Sequence, residues 1–311
     1  MAFYSPLRYP GGKGKIANYI KIIFELNELL DGHYIEVYAG GAAIAIELLI
    51  QEYASHIYIN DFNKSIHAFW FCVLNETEAL CKLIADTPVT MDTWHKQKNI
   101  QNNPNEVDIL SLGFSTFFLN RTNRSGIING GVIGGKKQSS TWKLDARYNV
   151  KDLTKRIKRI AQYKNRISLY NIDAVDFIRT ELPKLPVNAL VYLDPPYYFK
   201  GKGLYDSYYT HENHVMISET ISASMKQQKW IVSYDNVPQI HNLYNKYRKL
   251  EYSLNYSAAN RYKGSEVIFF CDDLLIPNIT NPVMPNTKVH QPLSSNKLME
   301  KQNLVSKHIP F

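Results

Sequence analysis

The stretch HYIEVYAGG at residues 33–41 says most about the fold. Its first residues predict a short strand that runs into glycines, and AAIAIELLIQEY at 42–53 predicts a helix directly afterwards. HIYINDFN at 56–63 predicts a second strand that ends in an acid. Strand, glycine turn, helix, and a strand that ends in an acid form the order of a βαβ nucleotide-binding unit, so we predict a parallel α/β sheet.

Outward from this unit, KIANYIKIIFELNELL at 15–30 predicts an amphipathic helix. From Lys64 to about Lys164 helical stretches alternate with polar joints, and the segment at 125–141 is a glycine-rich loop. We therefore predict one doubly wound, Rossmann-like sheet of α/β class, interrupted by an inserted, mainly helical subdomain. The α/β pattern resumes in segments at 166–178, 188–199, 212–228, 229–236, 238–247, 249–257 and 266–273.

The composition is that of a globular protein, with 45% apolar and 21% charged residues in a chain of 311. The three cysteines have neither metal-ligand spacing nor a disulfide framework, and we find no signal peptide or membrane span, so we expect a cytoplasmic protein. Lys and Arg exceed Asp and Glu by 36 − 28 = 8. Nine basic residues and two acids lie between 143 and 166, which favours contact with phosphates over a merely solvated surface.

Two residues of the βαβ unit point to a cofactor. Gly40 lets a ligand approach the backbone closely, beside the free N–H groups of the next helix. Asp61 lies 21 residues later, at the offset where such folds bind ribose hydroxyls with a carboxylate. The pair favours an adenosine-bearing cofactor over simple packing and capping roles, and by itself it also allows a nicotinamide cofactor.

The segment VYLDPPYYF at 191–199 places an acid at the end of a predicted buried strand. Two prolines fix the backbone there, so the carboxylate of Asp194 and the carbonyls of 194 and 195 become acceptors with fixed directions. Such acceptors suit the protons of an amino group, and Tyr197 offers a flat ring on which a base can stack. A rigid strand exit explains the prolines, but not the acid and the tyrosine beside them.

The sequence resembles the Dam-like (D12 class) DNA adenine-N6 methyltransferases. DPPY at 194–197 matches the catalytic signature of that family, which is highly specific after a hydrophobic strand. LRYPGGK at 7–13 is similar to its amino-terminal cofactor motif, in which an aromatic residue and a lysine, here Tyr9 and Lys13, contact S-adenosylmethionine. The likeness extends from residue 7 to about Asp273.

Three further segments resemble the family in order. Residues 35–43 are similar to its E-P-F-x-G-x-G turn, 58–63 to its ribose-binding acid strand, and 171–174 to the strand whose acid neighbours the cofactor adenine. The sequence departs from the pattern at Val37, which replaces a proline, and at Ala42, which replaces the second glycine; we expect the glycine before Ala42 to supply the missing freedom. The resemblance implies the cofactor-binding residues Tyr9, Lys13, Glu36, Tyr38, Gly40, Asp61, Phe62, Asp173 and Asp194.

The resemblance also implies a reaction, the transfer of a methyl group from S-adenosyl-L-methionine to N6 of adenine in a specific double-stranded DNA sequence. The flipped base would enter a pocket formed by Asp194, Pro195, Pro196 and Tyr197. FLNRTNRSG at 118–126 is similar to the entry of the family's target-recognition region. The residues expected to contact DNA are Asn120, Arg121, Asn123, Arg124, Asn260, Arg261 and Lys263, although such side chains can also cap helices or face solvent.

We accordingly predict three regions. Residues 1–75 and 161–276 form the S-adenosylmethionine-binding catalytic domain, 76–160 form the target-recognition insertion, and 277–311 form a flexible tail. Double-stranded DNA is the expected partner of a bacterial or phage-encoded enzyme, and a separately acting restriction endonuclease is a candidate second partner. We expect no membrane partner and no metal, because His211 and His214 lack a plausible third ligand.

Four alternative functions fit the sequence less well than this prediction. An N4-cytosine DNA methyltransferase uses the same kind of cradle but more often carries serine at the position of Asp194. A protein-glutamine methyltransferase usually has asparagine there and lacks a basic insertion. A DNA-binding regulator without catalysis is disfavoured by the intact DPPY and Lys13. A nicotinamide oxidoreductase has no use for an aspartate and diproline cradle.

Overall fold

The computed structural model describes residues 4–8, 13–199, 209–256 and 262–283, and for 254–256 and 262–263 the backbone alone. Several predicted features therefore lie outside the described residues. They are Tyr9, Asn260, Arg261, the side chain of Lys263 and the part of the predicted tail from 284 to 311.

The described residues contain a seven-stranded sheet. Its strands are β1 (Gly32–Glu36), β2 (Ala54–Asn60), β3 (Ile167–Tyr170), β4 (Ala189–Leu193), β5 (Lys229–Asp235), β6 (Arg248–Tyr256) and β7 (Tyr262–Phe270). They lie in the order β3-β2-β1-β4-β5-β7-β6. The first five are parallel, and β7 runs antiparallel between β5 and β6. The predicted doubly wound, Rossmann-like α/β sheet is confirmed.

The strand order reverses between β1 and β4. The chain moves from β1 to β2 and β3 on one side, and from β4 to β5 on the other. Because parallel crossovers are right-handed, the connections on the two sides cover opposite faces of the sheet, and a crevice opens at the carboxyl ends of β1 and β4. All five residues of β4 are buried, as its apolar sequence predicts.

The helices fill the connections between these strands. They are α1 (Ala17–Leu26), α2 (Ala43–Ile50), α3 (Lys64–Asn75), α4 (Thr77–Asp86), α5 (Met91–Asn102), α6 (Ile109–Thr122), α7 (Val150–Ala161), α8 (Ala174–Asp176), α9 (His211–Ser224) and α10 (Pro238–Leu243). A π turn over Phe177–Glu181 and a 3-10 turn over Leu182–Lys184 extend α8. None of the helices in the described ranges has both the length and the apolar character needed to cross a bilayer.

The connection from β2 to β3 is helical from α3 to α7. α6 packs against α3, α4 and α5, while α7 packs against α3 and α4. α7 buries Leu153, Ile157 and Ile160 along one stripe and leaves Lys151, Lys155, Lys158 and Arg159 exposed on the other side. The helical character matches the predicted insertion, while the division at residues 76 and 160 stays a prediction.

Candidate active site

Acidic side chains gather at the carboxyl ends of the parallel strands. Glu36 is the last residue of β1 and Asp235 the last of β5, while Asp61 and Asp194 directly follow β2 and β4. Asp173 comes three residues after β3 and caps α8 with its side chain. The parallel sheet thus brings the predicted carboxylates of Glu36, Asp61, Asp173 and Asp194 to one edge, and adds one that was not predicted.

Asp194 is held by a chain of hydrogen bonds from the neighbouring strands. The Ser233 hydroxyl of β5 donates to Oδ1 of Asp194 at 2.7 Å, and the Tyr192 hydroxyl lies 2.8 Å from that serine oxygen. The Asp194 side chain is 18% exposed. Burial raises the pKa of its carboxyl, and the charge of Lys13 acts in the opposite direction. The carboxylate is therefore oriented by Ser233 and stays partly exposed at the carboxyl end of β4.

Lys13 lies between two carboxylates. Its Nζ is 3.3 Å from Oδ1 of Asp194 and 2.9 Å from Oε2 of Glu266 on β7. It also lies 3.0 Å from the Tyr197 hydroxyl. Burial alone would lower the pKa of Lys13, but Asp194 and Glu266 raise it well above its ordinary value. Lys13, predicted as a cofactor contact, is thus a buried ammonium beside Asp194.

Tyr197 is buried in the same cluster. Its ring is 3% exposed, and its hydroxyl donates to Oε1 of Glu266 in a short hydrogen bond. Tyr252 of β6 donates to the other oxygen of Glu266 at 2.6 Å. In this conformation a base can stack on Tyr197 only if its ring, or the groups that cover it, move. The stacking role of Tyr197 stays a prediction.

Asp235 fixes the two residues that follow DPPY. Its carboxylate oxygens accept the backbone N–H groups of Tyr198 at 2.9 Å and Phe199 at 3.2 Å. The ring of Tyr198 packs on that of His214, with centroids 5.0 Å apart, and its hydroxyl lies 3.1 Å from Nδ1 of His211. The ring of Phe199 is 59% exposed. Tyr198 is therefore a packed residue, whereas Phe199 presents its ring to solvent.

Glu36 is buried at the end of β1, with 4% of its surface exposed. Burial raises the pKa of its carboxyl well above the ordinary value, and the charges of Asp194 and Asp61 add to the shift. Within the described part of the chain, its Oε2 has no hydrogen-bond partner. A buried carboxylate oxygen without a partner, close to two further acids, suits a cationic group of a ligand.

The turn after β1 forms around Asp61. Gly40 has φ of +47°, and its N–H donates to Oδ2 of Asp61 at 2.8 Å, while Asn63 N–H donates to Oδ1 at 2.9 Å. Burial raises the pKa of Asp61 to about 6. The expectation that Gly41 supplies the freedom is wrong, because Ala42 itself adopts the left-handed conformation, with φ of 45°, as the N-cap of α2. The chain folds the turn with an alanine in a strained position.

Aromatic side chains border the acids. Phe62, predicted to contact the cofactor, is 63% exposed at the end of β2. The Tyr38 hydroxyl lies 2.9 Å from the Tyr209 hydroxyl. Burial raises the pKa of Tyr209, and the charges of Asp173 and Asp61 raise it further. Tyr38, Phe62 and Asp173 are thus brought to the same end of the crevice.

Asn120 and Asn123, predicted to contact DNA, are buried inside the protein. Asn120 accepts Arg8 N–H at 2.7 Å and donates to the carbonyls of Arg8 and Gly126 at 2.7 and 2.8 Å. Asn123 accepts the Trp94 indole N–H at 2.7 Å and donates to two carbonyls of the following loop. Gly126 has φ of +78°, and a Cβ there would lie 2.3 Å from the Arg8 carbonyl oxygen. The prediction that Asn120 and Asn123 contact bases is therefore corrected. Both amides form their hydrogen bonds within the fold, where they hold the neighbouring segments in position.

The two predicted arginines differ in exposure. Arg121 is partly buried, its Nε donates to the Arg147 carbonyl at 2.8 Å, and burial followed by the charge of Arg8 lowers its pKa to about 10. Arg124 is exposed next to the glycine-rich loop. Arg124 and the exposed basic side of α7 are therefore the predicted DNA contacts that face solvent in the described residues.

Sequence reasoning missed Ser233, Asp235, Tyr252 and Glu266. Asp235 carried a readable signal, because KWIVSYDN ends a strand in an acid as the segments before Asp61 and Asp194 do. Glu266 gave no such signal. It opens an apolar run, and only the pairing of β7 with β5 places it opposite Asp235. Across the described ranges no group of three His, Cys, Asp or Glu side chains is arranged to hold a metal ion.

Comparison with known proteins identifies the family. The profile of the D12 class N6 adenine-specific DNA methyltransferases matches residues 9–258. The match covers most of the chain, so the chain belongs to this family. The family expected from the sequence is confirmed.

Individual relatives are distant. Over 210 residues the chain is 26% identical to the modification methylase StsI of Streptococcus sanguinis, a match that covers 62% of this chain and 28% of that protein. Among solved structures, the rRNA methyltransferase AviRa of Streptomyces viridochromogenes is 11% identical over 86% of this chain and 88% of its own, with a TM-score of 0.37. A putative class I S-adenosylmethionine-dependent methyltransferase of Listeria monocytogenes is 11% identical over 85% and 63%, with a TM-score of 0.34.

Proposed function

We propose that this chain transfers a methyl group from S-adenosyl-L-methionine to N6 of adenine in a specific double-stranded DNA sequence. Membership of the D12 class supports the substrate and the base. The observation that carries the proposal is the Asp194 carboxylate, fixed by Ser233 at the carboxyl end of β4 and beside the buried Lys13 ammonium. We extend to this chain, as proposals, double-stranded DNA and a separately acting restriction endonuclease as partners.

The residues at the crevice fit the proposed cofactor. S-adenosylmethionine carries a sulfonium and an ammonium, and it supplies an electrophilic methyl group when bound. Glu36 offers a buried oxygen without a partner in the described residues, and Asp61 and Asp194 add two carboxylates. Asp61 at the end of β2 suits the ribose hydroxyls, and the exposed ring of Phe62 suits one face of the adenine.

The chain contributes acceptors and orientation to the reaction. Asp194 would accept a hydrogen bond from the substrate amine and so direct the nitrogen lone pair away from the carboxylate. As the N–C bond forms and the methyl–sulfur bond breaks, the amine would lose one proton, for which the Asp194 carboxylate is the adjacent acceptor. The Ser233 hydroxyl donates a hydrogen bond to Oδ1 of Asp194 and so keeps the carboxylate from rotating. Such catalysis rests on positioning and on preorganised charges, and no covalent intermediate with the protein is needed.

DNA binding is proposed for the basic side of the helical connection. The exposed side chains on α7 and the exposed Arg124 are placed to neutralise phosphates, whereas the crevice itself is acidic. A target adenine has to leave the duplex to reach Asp194, at a cost of roughly a few kcal/mol. Phosphate contacts on the insertion would help to hold the DNA while the base is turned out.

The test is methylation of DNA in a host without methyltransferases. We expect N6-methyladenine at one sequence motif in cells that express the chain, detected by sequencing the modified bases. Asp194→Ala should abolish transfer and only weaken cofactor binding, because the cofactor keeps its contacts at β1 and β2. Asp272→Ala is the matched control, since Asp272 is an exposed acid after β7.

Each other outcome contradicts part of the proposal. N4-methylcytosine in place of N6-methyladenine would point to the cytosine alternative. Protein that binds DNA and leaves every base unmethylated would point to a regulator without catalysis. Full transfer by the Asp194→Ala variant would overturn the assignment of the site.

A further inference from the structure

Glu266 stands out among the groups that the proposed mechanism does not use. It is a carboxylate with 0% of its surface exposed, on a strand that does not belong to the parallel part of the sheet. Among the described residues, Lys13 at 2.9 Å and Tyr252 at 2.6 Å donate to its Oε2, and Tyr197 donates to its Oε1. We call Glu266 with these three residues the Glu266 latch.

Two members of the latch also belong to the proposed site. Lys13 is shared between Glu266 and Asp194, and Tyr197 is the last residue of DPPY. Of these two carboxylates, Glu266 lies nearer to the lysine: Nζ is 2.9 Å from Oε2 of Glu266 and 3.3 Å from Oδ1 of Asp194. Glu266 therefore draws the ammonium away from Asp194, and leaves more of the Asp194 carboxylate free to accept another proton.

We propose that Glu266 is a positioning residue for methyl transfer, which holds the Tyr197 phenol and the Lys13 ammonium and so keeps Asp194 available to the substrate amine. The inference rests on the proposed function for its catalytic meaning. It goes beyond that function because it places a required carboxylate on the β6–β7 hairpin, outside every motif in the sequence.

The variant Glu266→Gln separates the roles of the two oxygens. A glutamine keeps the shape but has one acceptor oxygen, so either Tyr197 or the pair of Lys13 and Tyr252 loses its acceptor. Lys13 then pairs more closely with Asp194. We expect the single-turnover rate of methyl transfer to fall about tenfold, while the dissociation constant of S-adenosylmethionine changes much less.

The pH profile gives a readout that a purely structural role would not change. The charge of Glu266 contributes to the raised pKa of Asp194, after burial. Its removal should lower that pKa, so the acidic limb of the rate profile should move to lower pH. Among the described residues, the titratable groups that act on Asp194 are Lys13, Glu36, Tyr34, Tyr192 and Glu266. Tyr197 and Tyr252 contact Lys13 or Glu266 instead.

A double-mutant cycle tests whether Glu266 acts through Tyr197. Tyr197→Phe removes the hydroxyl and keeps the ring. If the two residues act together, the double variant should be about as slow as the slower single variant. Glu251→Gln is the matched control, because Glu251 lies on β6 with its side chain 45% exposed. A wild-type rate and an unmoved acidic limb in Glu266→Gln, or fully multiplicative losses in the cycle, would overturn the inference.

A measurement without turnover keeps the inference separate from the proposed function. Chemical nitration of Tyr197, mapped by mass spectrometry, should be slow in the wild type, where the ring is 3% exposed, and faster in Glu266→Gln. A wild-type protein that methylates no DNA would overturn the proposed function alone. Unchanged nitration of Tyr197 in the variant would overturn the latch, whatever the activity.

Discussion

At the scale of single residues, Ala42 sets the geometry of the cofactor turn. It adopts φ of 45° and ψ of 36° at the start of α2, and it is 1% exposed. An L-residue in this region is strained by about 1–2 kcal/mol, which the packing of α2 on β1 and β2 has to offset. The turn therefore has little tolerance for a larger side chain.

A substitution at this position should separate strain from size. Ala42→Val adds a β-branched side chain to a left-handed and buried site, so we expect a loss of about 2–4 kcal/mol in the free energy of unfolding and weaker cofactor binding. Ala42→Gly is the control and should change stability by less than about 1 kcal/mol, because relief of strain and loss of a buried methyl nearly cancel. Chemical denaturation measures both, and a harmless valine would contradict this account of the turn.

At the scale of elements, the end of α6 is fastened to the amino-terminal segment. The Asn120 amide satisfies both polar groups of the Arg8 backbone and the Gly126 carbonyl. Asn120→Ala should leave these buried groups without partners and lower the free energy of unfolding by about 3 kcal/mol. Arg124→Ala should change it by less than about 0.5 kcal/mol, because Arg124 is exposed.

The variants Asn120→Ala and Arg124→Ala should show the opposite order of effects in DNA binding. Arg124→Ala should weaken DNA affinity about tenfold and reduce its salt dependence if the side chain contacts a phosphate. Folded Asn120→Ala should bind DNA less tightly only to the extent that the loop loosens. Thermal melts and fluorescence anisotropy at two salt concentrations distinguish these cases, and a stable Asn120→Ala variant that fails to bind DNA would restore the predicted base contact.

These elements mark what the sequence can and cannot predict. Acids at the ends of strands follow from periodicity, which is how Asp61 and Asp194 were predicted, whereas Glu36 was implied only by the resemblance to the family. Asn120 and Arg124 have side chains that suit DNA and loops equally, so only burial separates their roles. The position of Glu266 depends on the register of an antiparallel hairpin, which local sequence patterns do not specify.

At the scale of the whole molecule, the charges are divided between two places. The chain has a net charge of +8, and much of the excess lies on α7 and in the residues next to it. The carboxyl edge of the sheet instead collects buried acids. The proposed DNA substrate and the proposed cationic cofactor would thus be attracted to different parts of the molecule.

This division predicts that cofactor affinity rises with pH. Burial raises the pKa of Asp61 to about 6, so near pH 5 this carboxyl holds a proton that a cationic ligand has to displace, and burial also raises the pKa values of Glu36 and Asp194. Binding then releases protons, and the dissociation constant of S-adenosylmethionine should fall between about pH 5 and pH 7, by at most about tenfold per unit for each proton released.

The measurement is isothermal titration of the folded chain, because total stability mixes in groups of opposite sign. His214, for example, has a pKa lowered to about 4 by burial, so its contribution to stability rises with pH through the same range. S-adenosylhomocysteine, which lacks the sulfonium charge, should depend less on pH, and Glu36→Gln should flatten the slope for the charged cofactor. Affinity that falls from pH 5 to pH 7 would contradict the acidic site, since a cation cannot bind more tightly to carboxyls that keep their protons.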